Sequence, residues 1–455
     1  MRRKTHFKAV AALSAVALLA ACGGADDDPD DETTPAAQTT EDTESETDDM
    51  DAATDTGDAA DQTGGAGGEA GDFVFGYIFP ETGSLAYLGP PQITALEMAI
   101  QDINAAGGVL GSEVPEAIGG DEGDQAAVAQ ASADRILAEN PTAIIGAAAS
   151  GRSLDIIDRI TGAGVLQCSG SNTAPTFTDY DDSDLYIRTA PSDALQGPVL
   201  ANTVVGDGWS NVAIVARADD YGRGLANATA EALENAGATV ALNETYDPNA
   251  QQFDGTVQAV VSASPDAVVV IGFEESVQIL QGLIEQGLTP ADTGFYGADG
   301  MRNPDLGSLV DESNPAILAG MKGTAPASGA NEEFMSSLAE FAPDLGDNTQ
   351  FAPQVYDCAV TIALAAEAAG SADPEQIKAE VVNVTKDGTE CTSYEECKGM
   401  LESGEDIDYN GASGPLDFTD AGEPGKATIE VYGFNDAGEF ETLDTVESNP
   451  EESMR

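Results

Sequence analysis

The stretch Ala267-Val268-Val269-Val270-Ile271-Gly272-Phe273-Glu274 is an unbroken apolar run that ends in a glycine, an aromatic ring and an acid. A strand that is apolar at every position is buried on both faces, as in a parallel sheet covered by helices. Helical apolar patterns precede the run at 252–262 and follow it at 276–286. The stretch therefore predicts one strand of a doubly wound α/β domain.

The same alternation of strand and helix extends outward in both directions and forms two series. The first series has predicted strands at 73–79, 143–149 and 165–168, and predicted helices that end at Gly107-Gly108 and span 125–139 and 153–162. The second series has predicted strands at 211–217, 239–244, 267–273 and 294–297, with a further helix at 224–236. Two series of this size predict two doubly wound domains, in which ligands bind beyond the carboxyl ends of the strands.

The composition is strongly acidic. The 455 residues include 81 Asp+Glu and 17 Lys+Arg, so the formal net charge is −64. Such a charge repels phosphate backbones and argues against nucleic acid as a partner. Because the acids are spread along the chain, we expect a solvated acidic surface suited to high salt, with calcium loading as the alternative.

The N-terminus has the features of a secretory signal peptide at 1–21. Four basic residues precede an apolar run at 9–21, which spans about 20 Å as a helix and is too short to cross a bilayer. The sequence Leu19-Ala20-Ala21-Cys22 resembles a bacterial lipobox, which implies lipidation of Cys22 and attachment to the outer face of the cytoplasmic membrane. The alternative is an ordinary secreted protein in which Cys22 has no such role.

The residues after the cleavage site are mostly small or acidic. Residues 23–72 contain 18 acidic and no basic side chains, so we predict that 22–72 is a lipid-anchored, disordered linker. Signal removal would also remove His6, the only histidine. A mature chain without histidine excludes Ser-His-Asp and Cys-His nucleophile systems and histidine zinc sites.

Small polar loops follow the predicted strands of both series. They lie at 80–89, 146–153, 169–175, 219–222, 272–274 and 296–300. Ser150 is placed to cap the helix that follows it, and a hydroxyl with free backbone N–H groups at a helix start can receive a carboxylate.

The order of these loops resembles the leucine/isoleucine/valine-binding family, the substrate-binding proteins of branched-chain amino-acid ABC importers. The resemblance covers nearly all of 73–447 and includes Tyr356-Asp357 and the late segment 408–415. It implies the type I periplasmic binding protein fold: two Rossmann-like α/β lobes with parallel sheets, joined by three hinge crossovers near 188–191, 323–327 and 413–417. Each lobe would then be discontinuous, with 73–190 and 325–413 in the first, 191–324 and 414–447 in the second, and 448–455 as a tail.

The resemblance also implies roles for individual residues. Ser150 and Thr173 would bind a ligand α-carboxylate, with backbone contacts from Asn172. Asp299 would pair with the α-ammonium, although branched-chain binders carry Glu there. The wall positions are Tyr87, Tyr221, Phe273 and Phe351. Arg152 is either an extra ligand contact or a solvent-exposed charge.

Each of these residues also has a purely structural interpretation. Ser150 is then only an N-cap, Asp299 a turn residue, and the aromatic side chains packing residues. The joint placement of carboxylate donors in one lobe and an acid in the other favours an α-amino acid site.

Four cysteines follow Cys22, an even number for an oxidising compartment. Cys391 and Cys397 predict a small disulfide loop. Cys168 and Cys358 would pair if the fold brings their Cα atoms within about 7 Å.

We therefore expect a non-enzymatic receptor without cofactor or metal, which delivers a small-molecule ligand to ABC permease and ATPase subunits. A hydrolase or glycosidase that uses the same cleft is one alternative. A two-lobed sensor without transport and a binder of small amides, urea or dicarboxylates are the others.

Overall fold

The computed structural model describes residues 73–327 and 331–449. The predicted signal peptide, Cys22 and the predicted linker lie outside the described residues, as do residues 450–455 of the predicted tail. Within the described ranges, no single helix is long and apolar enough to span a membrane. One bent pair, Ala352–Ala369 with Pro374–Val381, meets the length and composition criteria with a 105° turn.

The described residues form strands and helices in alternation. The strands are β1 Phe75–Ile78, β2 Ala143–Gly146, β3 Leu166–Ser169, β4 Tyr186–Arg188, β5 Asn211–Arg217, β6 Thr239–Tyr246, β7 Ala267–Ile271, β8 Gly294–Gly297, β9 Lys322–Pro326, β10 Thr389–Cys391, β11 Ile407–Gly411, β12 Gly414–Pro415, β13 Ala427–Phe434 and β14 Phe440–Ser448. The α-helices are α1 Gly89–Ala105, α2 Ala126–Leu137, α3 Ser150–Leu154, α4 Ile157–Thr161, α5 Asp193–Gly206, α6 Asp220–Asn235, α7 Asp254–Ala263, α8 Ser276–Glu285, α9 Leu306–Val310, α10 Glu332–Phe341, α11 Ala352–Ala369, α12 Pro374–Val381 and α13 Tyr394–Glu402.

The first lobe is built on a parallel sheet with the order β1-β2-β3-β4. Ile118 and Asp121 extend it on the far side of β1 through isolated parallel bridges. The connections from β1 therefore diverge, toward 118–121 on one side and β2 on the other. Such a divergence is a topological switch point, and ligands bind in the crevice at its carboxyl ends. Helices α1 and α11 pack on this lobe, which also holds the small sheet β10-β11-β12.

The second lobe is built on a seven-stranded sheet with the order β14-β13-β9-β8-β7-β5-β6. Strand β5 lies between β6 and β7, which creates a second switch point. Strands β5 to β9 are parallel, as predicted, whereas β13 and β14 extend the sheet antiparallel. Sequence reasoning did not predict these two strands. Most β14 residues are exposed, so β14 lacks the apolar run that marks a buried strand.

The predicted helix at 153–162 is two short helices, α3 and α4, and Ser150 does not have the predicted capping role. The break is at Ile156, whose φ of −127° is not helical, and both Ile156 and Ile157 are fully buried. Ala149 is the N-cap of α3 and Ser150 its first residue. The Ser150 Oγ accepts a hydrogen bond from the Ala174 N–H (3.3 Å), so it ties α3 to the loop after β3.

All four cysteines of the described residues form disulfides within the first lobe. Cys168 in β3 bonds to Cys358 in α11, with Cα atoms 5.9 Å apart. Cys391 bonds to Cys397, with Cα atoms 5.4 Å apart. The first bond joins the strand before the 169–175 loop to the helix that begins after Phe351.

Candidate functional site

The two switch points face each other across a closed cleft between the lobes. The Tyr87 hydroxyl donates to the Gly300 carbonyl across the cleft (2.9 Å), and the Glu274 N–H donates to the Ser84 carbonyl (3.3 Å). Between them lies a narrow cavity, here called the small cavity. The predicted site residues that line it are Ser150, Tyr221, Phe273, Asp299 and Phe351.

Asp299 is the charged side chain in the lining of the small cavity. It follows β8, is buried, and accepts hydrogen bonds at Oδ1 from the Tyr221 hydroxyl and from Gln196 Nε2, both at 2.9 Å. Burial raises the pKa of Asp299 to about 6, although both donors favour the carboxylate. A buried carboxylate on an otherwise apolar wall is suited to a cation, because a cation offsets the cost of its desolvation.

Asp193, a second buried carboxylate near Asp299, was missed by sequence reasoning. It is the first residue of α5, where an acid is ordinary, so its local sequence gives no functional signal. Its Oδ2 accepts from the Thr173 hydroxyl (3.0 Å), and its Oδ1 has no hydrogen-bond partner within 73–327 and 331–449. Burial, and then the charge of Asp299, raises the pKa of Asp193 well above its usual range. The two acids together disfavour a second negative charge in the cleft.

The aromatic wall of the small cavity is a stack of Tyr221 and Phe273. The ring centroids are 5.4 Å apart and the planes differ by 20°. The Arg217 guanidinium lies 3.5 Å from the centroid of Phe273, a cation–π contact. Arg217 is also paired with Asp219 (2.5 Å) and Glu275 (3.0 Å), so its charge is balanced inside the second lobe.

In the opposite wall, on the first lobe, buried polar side chains hold in place the segment 147–149, of which Ala148 and Ala149 line the small cavity. Asn172 donates from Nδ2 to the carbonyls of Ala147 and Ala148, at 3.0 and 2.8 Å. It also accepts at Oδ1 from the Tyr186 hydroxyl (2.8 Å). The Thr173 hydroxyl donates to an acid of the protein itself. Neither residue is in the lining of the small cavity, so both act on this wall from behind.

Glu122 supports the same wall and was also missed by sequence reasoning. It is 1% exposed and accepts from the N–H groups of Ala148 (2.5 Å) and Ala149 (3.2 Å). Burial raises the pKa of Glu122 to about 8, although these donors and Arg152 act in the opposite direction. The sequence around Glu122 is an acidic loop like many others in this chain, so only the fold distinguishes it.

Phe351 and Tyr87 complete the enclosure. Phe351 precedes α11 with φ at 64°, a left-handed conformation that bulky residues rarely adopt, and it is buried in the lining of the small cavity. Tyr87 lies outside the lining, but its carbonyl accepts from Asn348 Nδ2 (2.5 Å) and its hydroxyl reaches the other lobe. Tyr87 is thus a contact between lobes in the closed cleft.

Arg152 lies outside the small cavity. It pairs with Asp155 (2.9 Å) and donates to the Asp124 carbonyl (3.0 Å), and its side chain is 22% exposed. It lines a larger neighbouring cavity instead. Arg152 therefore has its partners within its own lobe, and it lines the cavity next to the one that contains Asp299.

The calcium alternative finds no support in the described part of the chain, where no group of three or more His, Cys, Asp or Glu side chains is arranged for a metal ion. The segment 406–411, Asp-Ile-Asp-Tyr-Asn-Gly, does match the start of a calcium-loop pattern. Most of it is strand β11, and the buried Tyr409 donates its hydroxyl to Asp357 (2.8 Å), so the segment is not a loop around an ion.

Residues 73–432 match the family model described as periplasmic binding protein. The chain belongs to this family. The periplasmic binding proteins are solute-binding receptors rather than a class of enzymes, and the match spans both lobes.

Similar proteins agree with this membership. A leucine-, isoleucine-, valine-, threonine- and alanine-binding protein of Pseudomonas aeruginosa is 27% identical over 300 residues, which is 66% of this chain and 79% of that protein. The chemotactic signal transduction system substrate-binding protein BasB of Halobacterium salinarum is 27% identical over 375 residues, 80% of this chain and 87% of that protein. The crystal structure of the branched-chain amino acid transporter substrate-binding protein LivJ of Streptococcus pneumoniae, in complex with isoleucine, aligns with a TM-score of 0.68 and 20% identity over 83% of this chain and all of that chain. The fold of this periplasmic binding protein is therefore the one that the sequence predicted.

Proposed function

We propose that this protein is an extracytoplasmic receptor that captures an α-amino acid between its two lobes and delivers it to an ABC permease. The observation that carries the proposal is the buried Asp299 carboxylate, which lines an otherwise uncharged cavity that both lobes enclose. An α-ammonium at this position would balance the buried charge. On the first-lobe side, the Ser150 hydroxyl is a donor for the α-carboxylate.

The lining of the small cavity supports an aliphatic side chain. Leu85, Leu88 and Ala148 line it together with the aromatic wall, so a ligand side chain would meet mostly apolar surface. The Pseudomonas relative is named for binding leucine, isoleucine, valine, threonine and alanine, and the Streptococcus structure contains isoleucine. We therefore place branched-chain and related aliphatic amino acids first among the ligands.

The capture mechanism follows from the two sheets and their connections. We assign 73–190 and 325–413 to the first lobe and 191–324 and 414–447 to the second, with hinges near 188–191, 323–327 and 413–417. A ligand that contacts both lobes binds the closed state more tightly than the open state, and this difference shifts the equilibrium toward closure. The closed cleft, with Tyr87 bonded to Gly300, is then the form that holds ligand.

Family membership implies an extracytoplasmic location. Within that location we propose lipidation at Cys22 and a tether through 22–72, with the permease and ATPase subunits as partners. Growth of a bacterial expression host with labelled palmitate should label the full chain but not its Cys22→Ser variant. Equal labelling of both would refute the anchor.

Isothermal titration calorimetry of the full chain tests the ligand class. We expect L-leucine or L-isoleucine to bind, and two matched analogues of leucine to bind at least tenfold more weakly: 4-methylpentanoate lacks the ammonium and 3-methylbutylamine lacks the carboxylate. A response to urea, small amides or dicarboxylates in place of amino acids would overturn the amino-acid assignment.

Sensing without transport is the second candidate, because the Halobacterium relative is named as part of a chemotactic system. Deletion of the gene in the source organism separates the two functions. Loss of labelled leucine uptake supports delivery to a permease, whereas loss of taxis toward leucine with normal uptake supports a sensor.

A further inference from the structure

A second cavity adjoins the small cavity within the cleft. It is larger than the small cavity, and both lobes contribute to its lining. Leu85, Ala149 and Phe273 line both cavities, so these side chains form the boundary between them. Because the second cavity is much larger, a ligand side chain that passed this boundary would meet no early limit on its length.

Phe273 is the aromatic side chain of the boundary, and a residue that lines the second cavity holds its ring in position. Arg217, which lines that cavity, stacks on the Phe273 ring at 3.5 Å. The backbone N–H of Phe273 donates to Glu275 Oε1 (3.2 Å), and the same oxygen accepts from Arg217 (3.0 Å). Side chain and backbone of Phe273 are therefore both tied to one guanidinium.

Arg217 is itself held firmly. It is 9% exposed, and Asp219 and Glu275 pair with different nitrogens of its guanidinium. The Tyr246 hydroxyl also donates to Glu275 (3.0 Å), which adds a support from β6. A planar guanidinium with two fixed carboxylates keeps one orientation, which a lysine ammonium would not reproduce.

We propose that Arg217 determines the maximum length of the ligand side chain by holding Phe273 as the wall between the two cavities. The inference rests on the proposed function, since it places the amino-acid end of the ligand at Asp299. Arg217 is a positioning residue in this scheme, because it acts through Phe273. Wild type then accepts side chains that fit the small cavity and rejects longer unbranched ones.

The test compares two straight-chain ligands, L-norleucine and L-2-aminooctanoate, by calorimetry on the full chain. We expect wild type to bind norleucine at least tenfold more tightly. In Arg217→Met and in Phe273→Ala, this preference should fall by at least tenfold, because the boundary opens into the second cavity. General loss of stability would weaken both ligands and leave their ratio unchanged.

Arg152→Met is the matched control. Arg152 also lines the second cavity and is also paired with a carboxylate, but its ion pair and its hydrogen bond are with Asp155 and Asp124, on the first lobe. In Arg152→Met, the ratio of the affinities for norleucine and 2-aminooctanoate should equal that of wild type. If Arg217→Met does not fold, Arg217→Lys replaces it, because a lysine keeps the charge but not the fixed orientation of the guanidinium.

Three results would overturn the inference. The first is equal binding of both ligands by wild type, and the second is an unchanged ratio in Phe273→Ala. The third is an equal change of ratio in Arg217→Met and Arg152→Met. If wild type binds no amino acid at all, including leucine, the proposed function itself is wrong. The leucine titration thus distinguishes a failure of the proposed function from a failure of this inference.

Discussion

The two lobes face the small cavity with different kinds of groups. The second lobe presents side chains that touch the cavity directly, above all Asp299 and Tyr221. The first lobe presents apolar side chains, the Ser150 hydroxyl and the segment 148–149, which Asn172 and Glu122 hold from behind. Single substitutions should therefore act differently at the two kinds of position. At Asp299 they should change affinity, and at Asn172 and Glu122, which lie outside the lining of the small cavity, they should change stability.

Asp299→Ala gives the largest expected effect on affinity. Charge-assisted hydrogen bonds contribute about 1.5–3 kcal/mol, so loss of the ammonium partner should weaken amino-acid binding at least tenfold. The melting temperature should change little, because removal of a buried carboxylate offsets the loss of its hydrogen bonds from Tyr221 and Gln196. Calorimetry and thermal unfolding measure the two quantities. Asp436→Ala, which removes an exposed acid of the same lobe, is the control. Unchanged affinity in Asp299→Ala would end the ammonium assignment.

Asn172→Ala probes the other side of the comparison. It removes one donor from the carbonyls of Ala147 and Ala148, which keep hydroxyl donors from Ser169 and Ser171. It also removes the acceptor of the buried Tyr186 hydroxyl, and an unsatisfied buried group costs about 1–3 kcal/mol. The main effect should be a lower free energy of unfolding, measured by urea denaturation. Affinity should change less than in Asp299→Ala. A strong loss of affinity at normal stability would instead make Asn172 a direct ligand contact and weaken the contrast between the lobes.

Acid pH should weaken binding through Asp299. Its pKa is raised to about 6, and the protonated form cannot pair with an ammonium. The dissociation constant should therefore be nearly constant above pH 7 and rise by up to tenfold per pH unit below about pH 6. Calorimetry between pH 5 and 8 measures this, with Asp299→Asn as the control that removes the dependence. A wild-type dissociation constant that does not change between pH 7 and pH 5 would contradict the pairing of Asp299 with the ligand ammonium.

Glu122→Gln should have the smallest effect, and on stability alone. The folded state raises the pKa of Glu122 to about 8 and so binds its proton more tightly than the unfolded state does. This group therefore lowers stability as pH rises from about 4.5 to 8. Gln keeps an acceptor for the two N–H donors and does not titrate. The melting temperature of the variant should fall less than that of wild type between pH 5 and pH 8.5, and parallel declines would refute the role.

The predictable part of the site lies in the loops that follow buried strands. The strand pattern marked the loops that contain Asp299, Phe273 and Ser150, because parallel strands place their carboxyl ends along one edge of a sheet. The family resemblance then implied the roles of these three residues. Asp193 and Glu122 were missed because their role depends on burial, and both stand in local sequence that is ordinary for a helix start or a polar loop.

Two further differences have the same physical origin. The Thr173 hydroxyl was assigned to ligand, but it donates to Asp193, a partner 20 residues away that only the tertiary structure brings near. Strand β14, at the edge of the second sheet, was missed because an exposed edge strand does not need an apolar run. Sequence patterns thus predicted the fold and the loops that line the site. The contacts behind these loops, such as Thr173 with Asp193, depend on the tertiary structure.

The disulfide between Cys168 and Cys358 makes the chain a closed covalent loop of 190 residues. Strands β4 to β9, and with them the whole parallel part of the second sheet, lie inside that loop. A protease that cuts once anywhere between 169 and 357 would release nothing: the two fragments would stay bonded and migrate as one band until a reductant is added. A nick in the second lobe would thus leave both fragments attached to whatever holds the N-terminus.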